Sequence, residues 1–412
     1  MVEGRALTSV GASRVSAIRR LTKIPALYLL TVVLVATACG GSTPVTPADA
    51  APKTLLIGQN AIKSGPAAVS FAITQGFEAY LNYINSQGGV NGYKFTWEER
   101  DNAYDATQSA LAQNQLIASK PFAIAVIGTV PVSAAAKVSQ SSRNKIPLLV
   151  SADGALVNSL AGEPDSPPIY TIIPDYTHLG QFDAKFIMEK LGDKNFGLVY
   201  ENTSLAQGAQ KAIAEYVPAH GGSIKATAAV TPTTTNWVPV ATQMQAAGAK
   251  TVLVWASSNL VASVQKAAAQ IGYSPTWVTP FFALNAGYLN LAGAAAEGTY
   301  IDGIFPPITS DSPAVKTFVS QVQSFAPNAV TGSGQQGWEL AAALVAAVKA
   351  GSDGGKVLTT AGFVKALSEL NGTVGFAKLQ FTGGRHSGVN EASVYQVKGG
   401  QFVQFAPPSP LP

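Results

Sequence analysis

The chain is poor in the residues that carry most enzyme chemistry. One cysteine among 412 residues allows no internal disulfide and excludes a zinc site built from thiolates. The three histidines, His178, His220 and His386, form no His-Glu-x-x-His pattern. No Gly-x-Ser-x-Gly turn presents a nucleophile. The nearest approach to a phosphate loop, Gly351-Ser352-Asp353-Gly354-Gly355-Lys356, has the wrong spacing, lacks a hydroxyl residue after the lysine and follows a helical pattern instead of a strand. It reads as a helix end and loop. With neither a nucleophile and base nor a metal-ligand set, an enzyme is not expected, and neither is a cofactor or a metal.

What is present begins with a leader. Arg5, Arg14, Arg19, Arg20 and Lys23 make a basic region, and an almost uncharged apolar run follows from Ile24 to Ala38. That run falls short of the roughly 20 residues a spanning helix needs, so residues 1–38 read as a signal peptide. Thr37-Ala38-Cys39-Gly40-Gly41 closes it and resembles the lipobox of bacterial lipoproteins, with the departure that Ala36 stands where leucine is usual. The resemblance implies that Cys39 is acylated and becomes the first residue of the mature chain. Residues 39–52, Gly/Ser/Thr/Pro-rich, then form a flexible tether to the bilayer.

The leader also explains the charge. It holds five of the 27 Lys and Arg residues and one of the 23 acids, leaving 22 of each in the mature protein. The formal charge of +4 belongs to the leader, and a neutral body gives no electrostatic reason to bind nucleic acid.

The remaining roughly 370 residues suit two lobes. Short apolar strands alternate with amphipathic helices: a strand at 54–57, a helix over 70–87 with Phe77, Tyr80, Leu81 and Ile84 on one face, and strands at 94–98, 122–127 and 146–150. Thr129-Val130-Pro131-Val132-Ser133 reads as a loop, with a helix from Ser133. After Asp175 the alternation resumes, with strands at 196–200, 224–230 and 251–255 between helices. Repeated strand–helix units imply parallel sheets covered on both faces, an α/β fold with two Rossmann-like lobes. Ligands then bind beyond the carboxyl ends of the strands, in the loops after Ile57, Ile127, Val150, Tyr200 and Trp255. The final Ala-Pro-Pro-Ser-Pro-Leu-Pro, from residue 406, reads as a disordered end.

Ser64-Gly65-Pro66, Gly76-Phe77-Glu78 and Tyr83-Ile84-Asn85-Ser86-Gln87-Gly88-Gly89-Val90-Asn91-Gly92 resemble the opening of branched-chain amino acid type (Leu/Ile/Val-binding-protein-like) substrate-binding proteins of ABC transporters. Asp101, Asp105-Ala106, Val126-Ile127-Gly128, Ile146-Pro147-Leu148-Leu149, Ala294 to Tyr300 and Val394-Tyr395-Gln396-Val397-Lys398 continue the resemblance in order, over about 52–405. It implies a type I periplasmic-binding fold with three interlobe crossovers, lobe one at 53–173 plus 303–387 and lobe two at 174–302 plus 388–412. It also implies an extracytoplasmic receptor on the outer face of the cell membrane that closes by a hinge on a small solute and meets ABC permease subunits. A monomer suits that docking. Ligand sensing or regulation on the same fold is the alternative.

Pocket residues carry over with departures. In the family, hydroxyl-rich loops hold a ligand carboxylate. Here those loops offer Thr129, Ser133, Ser151, Asp153 and Gly154, with Val132 and Ala155 where hydroxyls are usual. Ser64 lies in the first loop, and Glu201 follows a strand in lobe two. The family's ammonium-pairing acid falls at or near Leu260, and its tyrosine at Leu205. A cleft built from Val132, Leu205, Trp255, Leu260, Phe281 and Phe282 would not reward burial of a zwitterion, because an unpaired buried charge costs several kcal/mol. The expected solute is a largely apolar or neutral molecule, or an organic acid, rather than a standard branched-chain amino acid.

Overall fold

The computed structural model describes residues 53–65 and 67–412. The leader, Cys39 and the tether lie outside the described residues. Among the described residues no helix is long and apolar enough to cross a membrane.

The first sheet is built from β1 (Lys53–Ala61), β2 (Tyr93–Asp101), β3 (Ala123–Ile127), β4 (Leu148–Ser151) and β5 (Ile169–Thr171). Its order is β2-β1-β3-β4-β5 and every pair is parallel. The central strand β3, Ala-Ile-Ala-Val-Ile, is buried along its whole length, as a strand covered by helices on both faces must be. Those helices include α1 (Phe71–Ser86), α2 (Ala106–Ala118), α3 (Thr129–Ser141) and α4 (Gly154–Ala161).

The helix α3 starts four residues earlier than expected, directly after Gly128. Pro131 suggested a loop, but a proline in the first helical turn gives up an N–H that has no intrahelical acceptor anyway. Gly128 itself has φ +97°, and a Cβ there would lie 2.8 Å from the Tyr104 ring, so both its backbone and its surroundings require glycine.

The chain then enters a second body: α5 (Tyr176–Glu189), β6 (Asn195–Glu201), α6 (Gln207–Ala219), β7 (Ser223–Val230), α7 (Val238–Ala246), β8 (Thr251–Trp255), α8 (Ser258–Gln270), β9 (Thr276–Thr279), α9 (Ala286–Ala292) and β10 (Tyr300–Gly303). It returns to the first body with α10 (Pro313–Phe325), α11 (Gly332–Gly351), α12 (Thr360–Ser368) and a hairpin of β11 (Asn371–Thr373) and β12 (Lys378–Gln380). A last crossing brings β13 (Glu391–Lys398) and β14 (Gln401–Pro410) to the second sheet, whose order is β14-β13-β10-β9-β8-β6-β7. Its first five strands in sequence are parallel, and the last two are antiparallel additions. The chain therefore passes between the sheets after β5, after β10 and before β13. The first and third crossings are stitched together: Thr171 N–H donates to His386 O, Gly388 N–H to Thr171 O, and Ser387 Oγ to Ile173 O.

Residues 406–410, expected to be disordered, extend β14. Ala406 pairs with Val394, Ser409 with Ala392 and Pro410 with Glu391, and Leu411 N–H donates to Asn390 O. An edge strand tolerates proline because one side of its ladder needs no donors, and irregular register at Ala392–Tyr395 absorbs the mismatch.

Two contacts position the cleft. Strands β1 and β3, and likewise β6 and β8, lie where each sheet reverses direction, and the carboxyl ends at such a point leave a crevice. Helices α1 and α11 touch backbone to backbone: a Cβ on Gly76 would fall 2.0 Å from Gly334 O, and one on Gly337 would fall 1.7 Å from Ile73 O. Glycine at these positions brings the start of α1 and the start of α11 to one rim.

Candidate functional site

At the carboxyl ends of both sheets lies an outer cavity of about 560 Å³, which shares Ser70, Ile73, Phe281, Phe282 and Gln336 as lining with an inner chamber of about 140 Å³. Among the described residues, none that lines either space is Asp, Glu, Lys, Arg or His.

The inner chamber is bounded on one side by Ile62 after β1, Tyr104 after β2, Gly128 and Thr129 after β3, and Ser151 and Ala152 at the end of β4. Ser151 Oγ donates to Gln336 Oε1 on α11 at 3.1 Å, which leaves the Gln336 amide nitrogen to donate. No side chain caps α3, so the N–H groups of Thr129 and Val130 lack intrahelical acceptors and carry the positive end of the helix dipole. Tyr104 is set by a strained turn in which it and Ala103 have φ +58° and +49°. Asp101 and Asn102 hold that turn, accepting from the N–H groups of Ala103 and Tyr104.

The opposite wall comes from the second sheet: Leu205 after β6, Ser257 and Ser258 at the start of α8, and Phe281, Phe282, Leu284 and Asn285 after β9. Ile304, Phe305 and Ile308 on the second crossing, with Val330 before α11, complete the apolar lining. Phe281 and Phe282 touch each other at 4.5 Å between centroids and meet Tyr176 at 6.2 and 5.6 Å.

Of the residues singled out by sequence, Thr129, Ser151, Leu205, Phe281 and Phe282 line this space. Trp255 does not. It is wholly buried behind Phe282, and its Nε1 donates to Asp183 Oδ2 at 2.8 Å. Val132 and Leu260 also turn into the helix–sheet core, because helix phase sets the face each presents: Val132 lies in α3, where a loop was expected, and Leu260 in the first turn of α8 points to the sheet.

Asp153 is a cap in place of a pocket acid. Its Oδ1 accepts from Ala155 N–H at 3.0 Å and Tyr176 N–H at 3.1 Å. Burial pushes its carboxyl up to about 6, against the pull of those two bonds. It fills the N-terminus of α4 with an internal anion, which is the place an external carboxylate would otherwise take. Gly154 lies under the crossings, where a Cβ would sit 2.6 Å from Ser387 Oγ and 2.7 Å from Asp175 N. Ser133 is half-buried inside α3, outside the lining.

Ser64 Oγ donates to Asp101 Oδ2 at 2.6 Å and belongs to the turn, not the cavity. Burial alone would raise Asp101, yet this hydroxyl and the Ala103, Lys63 and Ser64 N–H groups hold it below the usual carboxylate range. Glu201 is buried and accepts from Ser257 N–H, Ser257 Oγ and Thr203 Oγ1 at 3.0, 2.7 and 3.1 Å. It fixes the Ser257 turn from behind.

Ser70, Tyr104, Tyr176, Phe305 and Gln336 escaped the sequence reading. Only Tyr104 carried a local signal, in the Asx-rich run Asp101-Asn102-Ala103-Tyr104-Asp105 that follows a strand. The others reach the cleft from a helix start or a crossing.

Two α/β bodies joined by three crossings, with a cleft at their carboxyl ends, make a type I periplasmic binding protein fold. The family model for periplasmic binding proteins matches residues 54–401, and the chain belongs to that family. Family membership makes it a binding protein and not an enzyme. Among solved structures, a branched-chain amino acid ABC transporter protein from Thermus thermophilus with bound valine is 19% identical, with TM-score 0.76, covering 87% of this chain and 96% of that one. A branched-chain amino acid transporter substrate-binding protein from Streptococcus pneumoniae in complex with isoleucine is 19% identical, with TM-score 0.72, covering 87% and 100%. A fatty acid ABC transporter substrate-binding protein from Thermomonospora curvata is 20% identical, with TM-score 0.71, covering 87% and 92%. No curated protein matches the chain.

Proposed function

We propose that the protein is an extracytoplasmic solute receptor of an ABC importer, closing its two lobes on a neutral, largely apolar small molecule or an organic acid, and not on a standard branched-chain amino acid. The absence of any charged residue among the described lining of the cleft carries this reading. A zwitterion buried there would leave its ammonium without a carboxylate partner, at a cost of several kcal/mol. A carboxylate or a neutral polar head fares better, since the Thr129 N–H group, the Ser70 hydroxyl and the Gln336 amide nitrogen supply donors on one side. The rest of such a solute would lie along Leu205, Phe281, Phe282 and Phe305.

The relatives of this fold include proteins with valine and isoleucine bound and one named for fatty acid transport. Of those ligand chemistries, the monoanionic apolar acid suits this lining best. Acylation of Cys39 would hold the receptor beside its permease, and the lobes would move about the three crossings, a ligand favouring closure only by binding the closed state more tightly.

Calorimetric titration with leucine, isoleucine and valine tests the reading, with no binding expected in the micromolar range. Micromolar or tighter binding of any of the three would overturn it. Mass spectrometry of solute carried through purification is expected to return a molecule without an ammonium group.

A further inference from the structure

Behind the aromatic wall of the cleft, two aspartates meet without a cation. Asp183 on α5 and Asp302 on β10 are each 1% exposed, and their carboxyl groups lie within hydrogen-bonding reach of each other. Asp183 Oδ2 accepts from Trp255 Nε1 at 2.8 Å, and Asp302 Oδ1 accepts from the Phe281 backbone N–H at 3.0 Å. Asp302 Oδ2 has no donor among the described residues.

The elements packed around the pair supply no compensating charge. Tyr176 on α5 is the nearby titratable side chain, with Asp153 and Tyr104 beyond it. Tyr300 shares the Asp302 face of β10 and packs against Phe186 of α5, whereas Tyr395 pairs with Ile301 and lies on the other face. His178, Lys185 and Glu189 on α5 and Lys398 on β13 are exposed, and Glu391 is half-buried at the far end of β13. Two touching carboxylates in such a place cannot both be ionised, whereas one acid and one carboxylate satisfy the orphan oxygen.

We infer that Asp183 and Asp302 hold one proton between them and that this proton positions Phe281 and Phe282 in the cleft wall. The Asp302 end of the pair ties down Phe281, and the Asp183 end ties down Trp255, against which Phe282 packs at 5.5 Å. Removing the proton leaves two buried anions in contact, and the separation that relieves their repulsion pulls on both rings. Burial, followed for Asp302 by the neighbouring Asp183 charge, raises both carboxyls, so the loss falls on the alkaline side. The positioning claim rests on the cleft being the solute site; the shared proton does not.

The test uses the unliganded protein, so it reads out whatever the solute is. Infrared spectra with isotope-labelled aspartate should show a protonated aspartic acid carbonyl at pH 7 that is lost in Asp302→Asn. The label separates it from buried glutamic acids. The near-ultraviolet circular dichroism of the wild type should shift as that band titrates with rising pH, while Asp302→Asn, whose amide can accept from Phe281 and donate to Asp183, should show no such shift. Asp183→Asn serves as the second variant should the first fail to fold. Absence of the aspartic acid band at pH 7, or its persistence in both variants, overturns the shared proton. A wild-type aromatic spectrum that stays constant while the band titrates overturns the positioning of the wall.

Discussion

The two sides of the cleft are built on the same strand–helix plan and end in opposite chemistry. The first sheet's side presents donors: an uncapped helix start at Thr129, the Ser70 hydroxyl, and the Gln336 amide nitrogen left free by the Ser151 bond to its oxygen. The second presents an aromatic and aliphatic surface through Leu205, Phe281 and Phe282. Acids exist near both, but each is consumed by the protein. Asp153 caps α4, Glu201 fixes the Ser257 turn, and Asp302 holds Phe281. A cleft can thus be free of charge although acids stand close behind its walls, because backbone N–H groups claim them first.

The largest break in this comparison should come from the apolar side. Trp255→Ala removes a fully buried indole and leaves Asp183 without its donor. It is expected to cost about 3–5 kcal/mol, read as a lower denaturation midpoint at unchanged slope.

A pH series compares the two bodies next. Glu339 on α11 is wholly buried, and burial pushes its carboxyl up to about 8 although Phe376 and Ala377 N–H groups pull the other way. The Asp183–Asp302 pair is raised for the reasons already given. Each folded group binds its proton more tightly than the unfolded chain does. Their stabilisation is therefore full below the unfolded carboxyl value of about 4 and is lost as pH rises through the folded value. Thermal midpoints should fall between about pH 4 and pH 8. Glu78 on α1, pushed up to about 8 by burial, and Asp153 add to the first body's share. Glu339→Gln should therefore reduce the slope by its own part, and a slope unchanged in that variant would place the effect elsewhere.

Asp153→Ala is the matching change on the donor side. It uncaps α4 and leaves Tyr176 N–H unpaired, with an expected loss of about 1–2 kcal/mol. A carboxylate solute should bind no more weakly, since an internal anion has gone from the cleft's neighbourhood. The smallest effect expected is that of Phe281→Ala, about a tenfold loss of affinity for an apolar solute, or roughly 1.4 kcal/mol, with little change in stability because the ring is only half-buried. A loss of stability equal to that of Trp255→Ala would show that the wall is core and not binding surface.

The alternation of strands and helices was legible because parallel strands buried on both faces must be continuous apolar runs, as in Ala123–Ile127 and Thr251–Trp255. Thr129, Ser151, Leu205 and Phe281 were legible as cleft positions because they follow strand ends. Trp255, Val132 and Leu260 were placed in the cleft and lie in the core, since proximity to a strand end does not reveal which way a side chain points. The proline-rich end misled for a related reason: composition reports what a segment can do alone, and β14 is ordered by β13.

By itself, then, the sequence determined the fold class, the family, the position of the strand ends and the equal numbers of basic and acidic residues after residue 38, all of which are local patterns or sums. Only the tertiary structure decided which acids are spent on the backbone and which groups face the cleft. Those outcomes depend on contacts between segments far apart in the chain, such as Gln336 with Ser151 and Asp302 with Asp183, and on side-chain directions fixed when α1 packs on α11 and the crossings close.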